Sequence, residues 1–182
     1  MKKQSSTTSI VLVGLFAALT VLGTMIKIPM PTGAFAHLGN SVLLLAVLLI
    51  GYKKGALAGG LGFAIFDVLN GFAAEAPYFI LESFIVGGAA ALMIVFFRHN
   101  IDTFGKVIVI ASVTGIAKII MTQLKNTGMG LLAGADFSVA FASGLSKLPA
   151  TLINVVTTIL IVTLVYFPLK KAMHVIFSRQ SF

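Results

Sequence analysis

Cysteine and tryptophan are absent from this 182-residue chain, and only 5 residues are Asp or Glu. Without cysteine there is no disulfide framework and no thiol chemistry. Charged residues make up 10% of the chain, against about 25% in an average soluble domain. That is too little polar surface to cover a fold in water. Catalytic signatures are missing too. Gly59-Gly60-Leu61-Gly62 lacks the Gly-Lys-Ser/Thr that would complete a phosphate-binding loop. No His-Glu-x-x-His run and no His pair at metal spacing occurs. No Gly-x-Ser-x-Gly elbow is present, and neither Ser83 nor Ser143 has an evident base beside it. The chain therefore carries no sign of ATP hydrolysis, and a pump built on it would draw its energy from another subunit.

What is present is apolar. The sequence is 58% hydrophobic, with a mean hydropathy of +1.07. The formal charge is +8, yet no dense Lys/Arg tract suits nucleic acid. The positive residues instead sit in pairs beside apolar runs, the pattern of membrane topology. Length and composition point to a single transmembrane domain over residues 1–182.

The fold class expected is an all-α polytopic membrane protein. It has six transmembrane helices in one bundle, both ends in the cytoplasm, and a pocket facing outward. A spanning helix needs roughly 20 apolar residues. The first runs over about Ser9–Ile26, reads as a retained helix rather than a cleaved signal, and stops at Pro29 and Pro31. Pro29–Gly39 reads as an irregular loop. The second, Asn40–Ile50, is short. A tight turn, Gly51-Tyr52-Lys53-Lys54-Gly55, leads to the third at about Ala56–Leu69. The fourth begins at Pro77, a favoured first helical residue, and ends at Phe97. The fifth covers about Gly105–Leu124. A Gly-rich outer segment, Asn126–Ala142, precedes the sixth, about Lys147–Phe167, which Pro168 is expected to stop. Threaded this way, Lys2, Lys3, Lys53, Lys54, Arg98, Lys106, Lys170, Lys171 and Arg179 lie inside. Lys27, Lys125 and Lys147 flank the outer ends, and Lys118 lies within a span.

Small residues recur at helix-packing spacing. Gly55-x-x-x-Gly59 and Ala56-x-x-x-Gly60 lie in span three, and Gly14-x-x-x-Ala18 in span one. Such stripes serve internal packing or docking of a membrane partner.

Polar residues at membrane depth are costly and usually functional. Here they share one level near the outer leaflet: His37, Asn40, Asp67, Tyr78, Glu82, Lys118, Thr122, Asn126 and Asn154. Positions 78 and 82, and 118, 122 and 126, are i, i+4 neighbours and so face one way. Glu82 and Lys118 are either a structural ion pair between spans four and five or ligand contacts. Phe35, Phe72, Tyr78 and Phe79 at this level could stack on a flat ring or form an aromatic belt. The inner halves, such as Ile94-Val95-Phe96-Phe97 and Ile159-Leu160-Ile161-Val162, are apolar. A pocket sealed toward the inside fits this better than a channel or secondary carrier. A membrane enzyme would need a nucleophile-base pair that the sequence does not offer.

Several runs carry a family resemblance. They are His37-Leu38-Gly39-Asn40 after a Pro-rich first loop, Gly51-Tyr52-Lys53-Lys54-Gly55-Ala56, Gly59-Gly60-Leu61-Gly62, and Phe66-Asp67-Val68-Leu69-x-Gly71. Together with size, basic character and topology, these resemble the substrate-binding S components of energy-coupling factor (ECF) vitamin transporters. The runs look like the branch that contains riboflavin-type, hydroxymethylpyrimidine and pyridoxine components. The branch commonly has Asp where this chain has Asn40, and Lys near Glu82. The resemblance implies a subunit that captures a vitamin or precursor, with hydroxymethylpyrimidine or pyridoxine favoured over riboflavin or pantothenate. Pro29–Gly39 would be its lid. It also implies docking through Gly14 and Ala18 onto a transmembrane T component driven by two ABC-type ATPases, and toppling of the subunit in a bacterial plasma membrane. ATP would be used by the partners, with no cofactor or metal of the chain's own.

Overall fold

The computed structural model describes residues 6–179, with side chains through residue 176. Lys2 and Lys3, and the side chain of Arg179, lie outside what is described. Six α-helices run α1 Ser6–Met25, α2 Gly39–Ile50, α3 Tyr52–Leu69, α4 Ala76–Phe96, α5 Phe104–Leu132 and α6 Phe137–Arg179. Four segments are long and apolar enough to cross a membrane: Ser6–Met25, Ala73–Phe96, Phe104–Leu132 and Phe137–Ile176. At about 1.5 Å per residue, α2 spans only about 18 Å.

Many large apolar side chains face outward, as a lipid-facing surface allows, and several polar ones are buried beside an apolar core. Ile10, Leu92, Phe96 and Leu164 point outward, whereas Thr20, Ser41, Asp67, Glu82, Ser83, Thr114 and Asn154 are buried. Lipid satisfies no polar group, so each must find a partner inside. The buried hydroxyls of Thr20, Ser83 and Thr114 do so by donating to the carbonyls of Phe16, Phe79 and Ile110, four residues earlier in their own helices.

Small residues let the backbones approach. A Cβ at Gly55 would strike the α2 backbone at Ala46 and Val47, and one at Gly62 would strike Ala17 and Thr20 of α1. The α3 glycine stripe is therefore consumed in packing α1, α2 and α3 together. Gly14 and Ala18 differ: both are exposed, and nothing lies within 4 Å of the place a Cβ at Gly14 would occupy.

Several sequence-based boundaries change. The first loop is not irregular. Lys27–Pro29 (β1) and Phe35–His37 (β2) form an antiparallel hairpin, with Lys27 opposite His37 and Pro29 opposite Phe35. An isolated two-stranded hairpin is marginal, so this one leans on the bundle. The Asn154 carboxamide of α6 pairs with β2 as a neighbouring strand would. Its Oδ1 accepts from the His37 N–H at 2.7 Å, and its Nδ2 donates to the Phe35 carbonyl at 3.0 Å. The Leu38 N–H donates to the Gly23 carbonyl at 2.9 Å.

The turn between α2 and α3 is Gly51 alone, at φ 89°, a left-handed conformation suited to glycine. Most of Asn126–Ala142 is helical, with only residues 133–136 between α5 and α6. Pro168 does not stop α6, which contains both Pro149 and Pro168. Packed neighbours within a membrane tolerate prolines that would break a helix in water.

Replacing Asn154 with Ala removes both hairpin bonds. Hydrogen exchange is expected to accelerate at the amides of residues 27–37 while α4 and α5 amides keep their protection. Unchanged hairpin exchange would show that the other contacts suffice.

Candidate functional site

The hairpin, the C-terminal end of α3, the start of α4, the C-terminal half of α5 and the N-terminal half of α6 enclose a cavity of about 270 Å³. Eight of the nine candidates read from the sequence border it: His37, Asp67, Tyr78, Glu82, Lys118, Thr122, Asn126 and Asn154. Asn40 does not. It borders a separate void of about 20 Å³ with Lys118, Asn154 and Thr158, large enough for a single water. The reason is local: α2 begins at Gly39, whose N–H is taken by His37 Nδ1 at 3.2 Å. Asn40 is thereby turned into the helix packing, and its Nδ2 has no partner.

Glu82 is the most elaborately held acid. It is 2% exposed. Its Oε2 accepts from Lys118 Nζ at 2.5 Å, joining α4 to α5. The Tyr78 hydroxyl lies 2.9 Å from Glu82 Oε1 and 2.9 Å from the Met121 carbonyl, so its one proton bridges two acceptors. Tyr78 and Glu82 face one way because they are one helical turn apart. The pair that the sequence left open is therefore formed, and it also lines the cavity.

Nearer the mouth, Lys125 of α5 pairs with Glu75. The Phe79 ring receives both ammonium groups, Lys118 at 5.4 Å and Lys125 at 4.5 Å from its centroid. Lys27 opens the hairpin and donates to Asn70 Oδ1 at 3.2 Å. It lies 4.8 Å from the centroids of Phe35 and Phe66. Rings beneath cations offset part of the cost of burying the charge. Lys147 reaches Asn126 Oδ1 at 3.4 Å, and Asn126 Nδ2 donates to the Thr122 carbonyl.

His37 is held neutral. Burial, and then the fields of Lys118 and Lys27, push its pKa down to about 3. Because Nδ1 accepts from Gly39, the ring proton sits on Nε2. Asp67 is 5% exposed, borders the cavity, and its Oδ2 has no hydrogen-bond partner.

Phe35, Phe72, Tyr78 and Phe79 all line the cavity, joined by Phe63 and Phe66. These last two are not among the nine candidates, and neither are Glu75 or Lys27, Lys125 and Lys147, the three lysines that the sequence placed as flanking helix ends. Spacing held the clue for Phe63, which lies one turn before Asp67 on the same face.

A helical bundle with lipid-suited flanks and one polar cavity at one end defines a solute-binding membrane protein. A profile of the S component family of ECF-type riboflavin transporters matches residues 4–171, and the chain belongs to that family. It is thus a transporter component rather than a member of an enzyme family. It is also 25% identical over 104 residues to an uncharacterised protein of Pyrococcus woesei from a gap 3′ region. That alignment covers 57% of this chain and 67% of the other.

Leaving one member of a buried ion pair unpartnered costs about 3–5 kcal/mol. Glu82→Gln is expected to lower the stability of the empty protein on that scale in detergent unfolding. Adding Lys118→Met should recover most of the loss without restoring ligand binding. Full stability in the single variant would show that the pair does not hold α4 to α5.

Proposed function

We propose that this chain is the capture subunit of an ECF importer for a vitamin or vitamin precursor. Its helices form six spans with both ends in the cytoplasm, and its cavity faces outward. The ligand is a compact heteroaromatic ring, with hydroxymethylpyrimidine or pyridoxine the best fits. The observation that carries this is the cavity itself: about 270 Å³, walled by phenyl rings and by paired charges. Sites for drug-sized ligands run from about 300 Å³ upward, so one substituted ring fits. Phenyl walls suit a flat ligand, and the bonded amides and hydroxyls around them can read ring substituents.

The orientation rests on charge. Lys53, Lys54, Arg98 and Lys106 lie at the helix ends opposite the hairpin, and Lys170 of α6, beside Lys171, donates to the Ile101 carbonyl at that same end, where the positive-inside rule puts the cytoplasm. The core between that end and the cavity is built of side chains such as Leu44, Val47, Val107, Ile110 and Val162. Such a seal suits a subunit that hands its ligand over by moving as a body better than one that opens a pore. Release would then require a T component and two ABC-type ATPases, with the exposed Gly14–Ala18 face of α1 as the docking surface. Riboflavin is the second reading, favoured by the family profile. A three-ring ligand would need the hairpin displaced.

The test is calorimetric titration of the chain in lipid nanodiscs with hydroxymethylpyrimidine, pyridoxine, riboflavin and pantothenate. One of the first two is expected to saturate one site per chain. Saturation by riboflavin alone would move the assignment to the second reading. Binding of none would remove the capture role.

A further inference from the structure

Four lysines and three carboxylates border the cavity. Two pairs form, Lys118 with Glu82 and Lys125 with Glu75. Three charges are left over. Lys27 and Lys147 form no ion pair among the described residues, and each donates only to a carboxamide oxygen. Asp67 is 5% exposed, and its Oδ2 has no hydrogen-bond partner among the described residues. Buried acceptors without partners are rare in native proteins and call for an explanation. Here the two unanswered signs of charge share one aromatic-walled space.

We propose that the cavity is built for an amphoteric ring, a 3-hydroxypyridine bound as its zwitterion. Its ring N–H⁺ donates to Asp67, and its ring oxyanion faces Lys27 or Lys147. This rests on the reading of the cavity as a site for a compact ring and narrows it to one chemical class. The tautomer balances without any co-reactant: the phenolic proton leaves the ring oxygen and a proton occupies the ring nitrogen. An aromatic ring nitrogen held by an aspartate is a recurring arrangement for pyridine cofactors, and an ionised acceptor makes the stronger bond. A pyrimidine that carries only an amino and a hydroxymethyl group would satisfy Asp67 but offer no anion to either lysine. Pantothenate offers an anion but no ring and no cationic donor.

Pyridoxine is the probe. Its zwitterion absorbs at longer wavelength than its neutral form, clear of tyrosine, and the chain has no tryptophan to obscure the band. Pyridoxine bound to the wild-type chain in nanodiscs is expected to show the zwitterion band. Asp67→Asn is expected to weaken binding about ten-fold or more, the size of a lost hydrogen bond to a charged group, and to shift the band toward the neutral form. One of Lys27→Gln and Lys147→Gln should weaken pyridoxine more than the 3-deoxy analogue, and no such difference in either variant would overturn the oxyanion contact. If Asp67→Asn does not fold, the wild-type spectrum still decides. A neutral band in the wild type, or equal affinity in folded Asp67→Asn, overturns the proposal. So does preference for hydroxymethylpyrimidine, although the compact-ring reading would then stand. If no compact ring binds at all, that reading fails as well.

Discussion

The ion pair between Lys118 and Glu82 is the interaction on which the site depends. A lone charge at this depth is costly, and two that meet at 2.5 Å offset one another. The pair ties α4 to α5. Through Tyr78 it also fixes the Met121 carbonyl, and the Lys118 ammonium lies against Phe79. Removing either partner would leave both a loosened helix contact and an unpaired charge in the cavity wall. The same two residues thus hold a helix contact and form part of the cavity wall, and a double variant separates the two effects.

The hairpin obeys the same constraint. Its backbone lies across the cavity, where unpaired N–H and C=O groups would be expensive. Asn154 answers two of them by acting as one rung of a third strand. Its amide is occupied by the hairpin, so it shapes the cavity by fixing the roof. The hairpin in turn brings Phe35 and His37 to the cavity, and the Lys27 ammonium lies close to both the Phe35 and Phe66 rings.

Much of this was legible before the fold. Apolar runs located all six helices, and the i, i+4 spacing of Tyr78 with Glu82, and of Lys118 with Thr122 and Asn126, placed a polar level near one end. The hairpin was not legible. Pro29–Gly39 lacks strand-like alternation, and its chief support is 117 residues away at Asn154. Helices α5 and α6 were read too short because Gly and Pro weigh against a helix in water, whereas neighbours in a bundle compensate. Phe63 and Phe66 did not stand out among the 15 phenylalanines, since composition does not reveal which side of a ring meets an empty space. Asn40 was placed with the pocket by its neighbours in sequence. The start of α2 at Gly39 turns it into the packing instead.

If the proposed capture role is right, this chain alone holds a small molecule in the cavity beneath the hairpin. Mass spectrometry of compounds released from the chain, purified in detergent after expression without partner subunits, decides the matter. One compact heteroaromatic compound is expected at close to one equivalent, lost from a folded Glu82→Gln/Lys118→Met variant. An empty wild-type chain, or equal occupancy of the variant, would rule the role out.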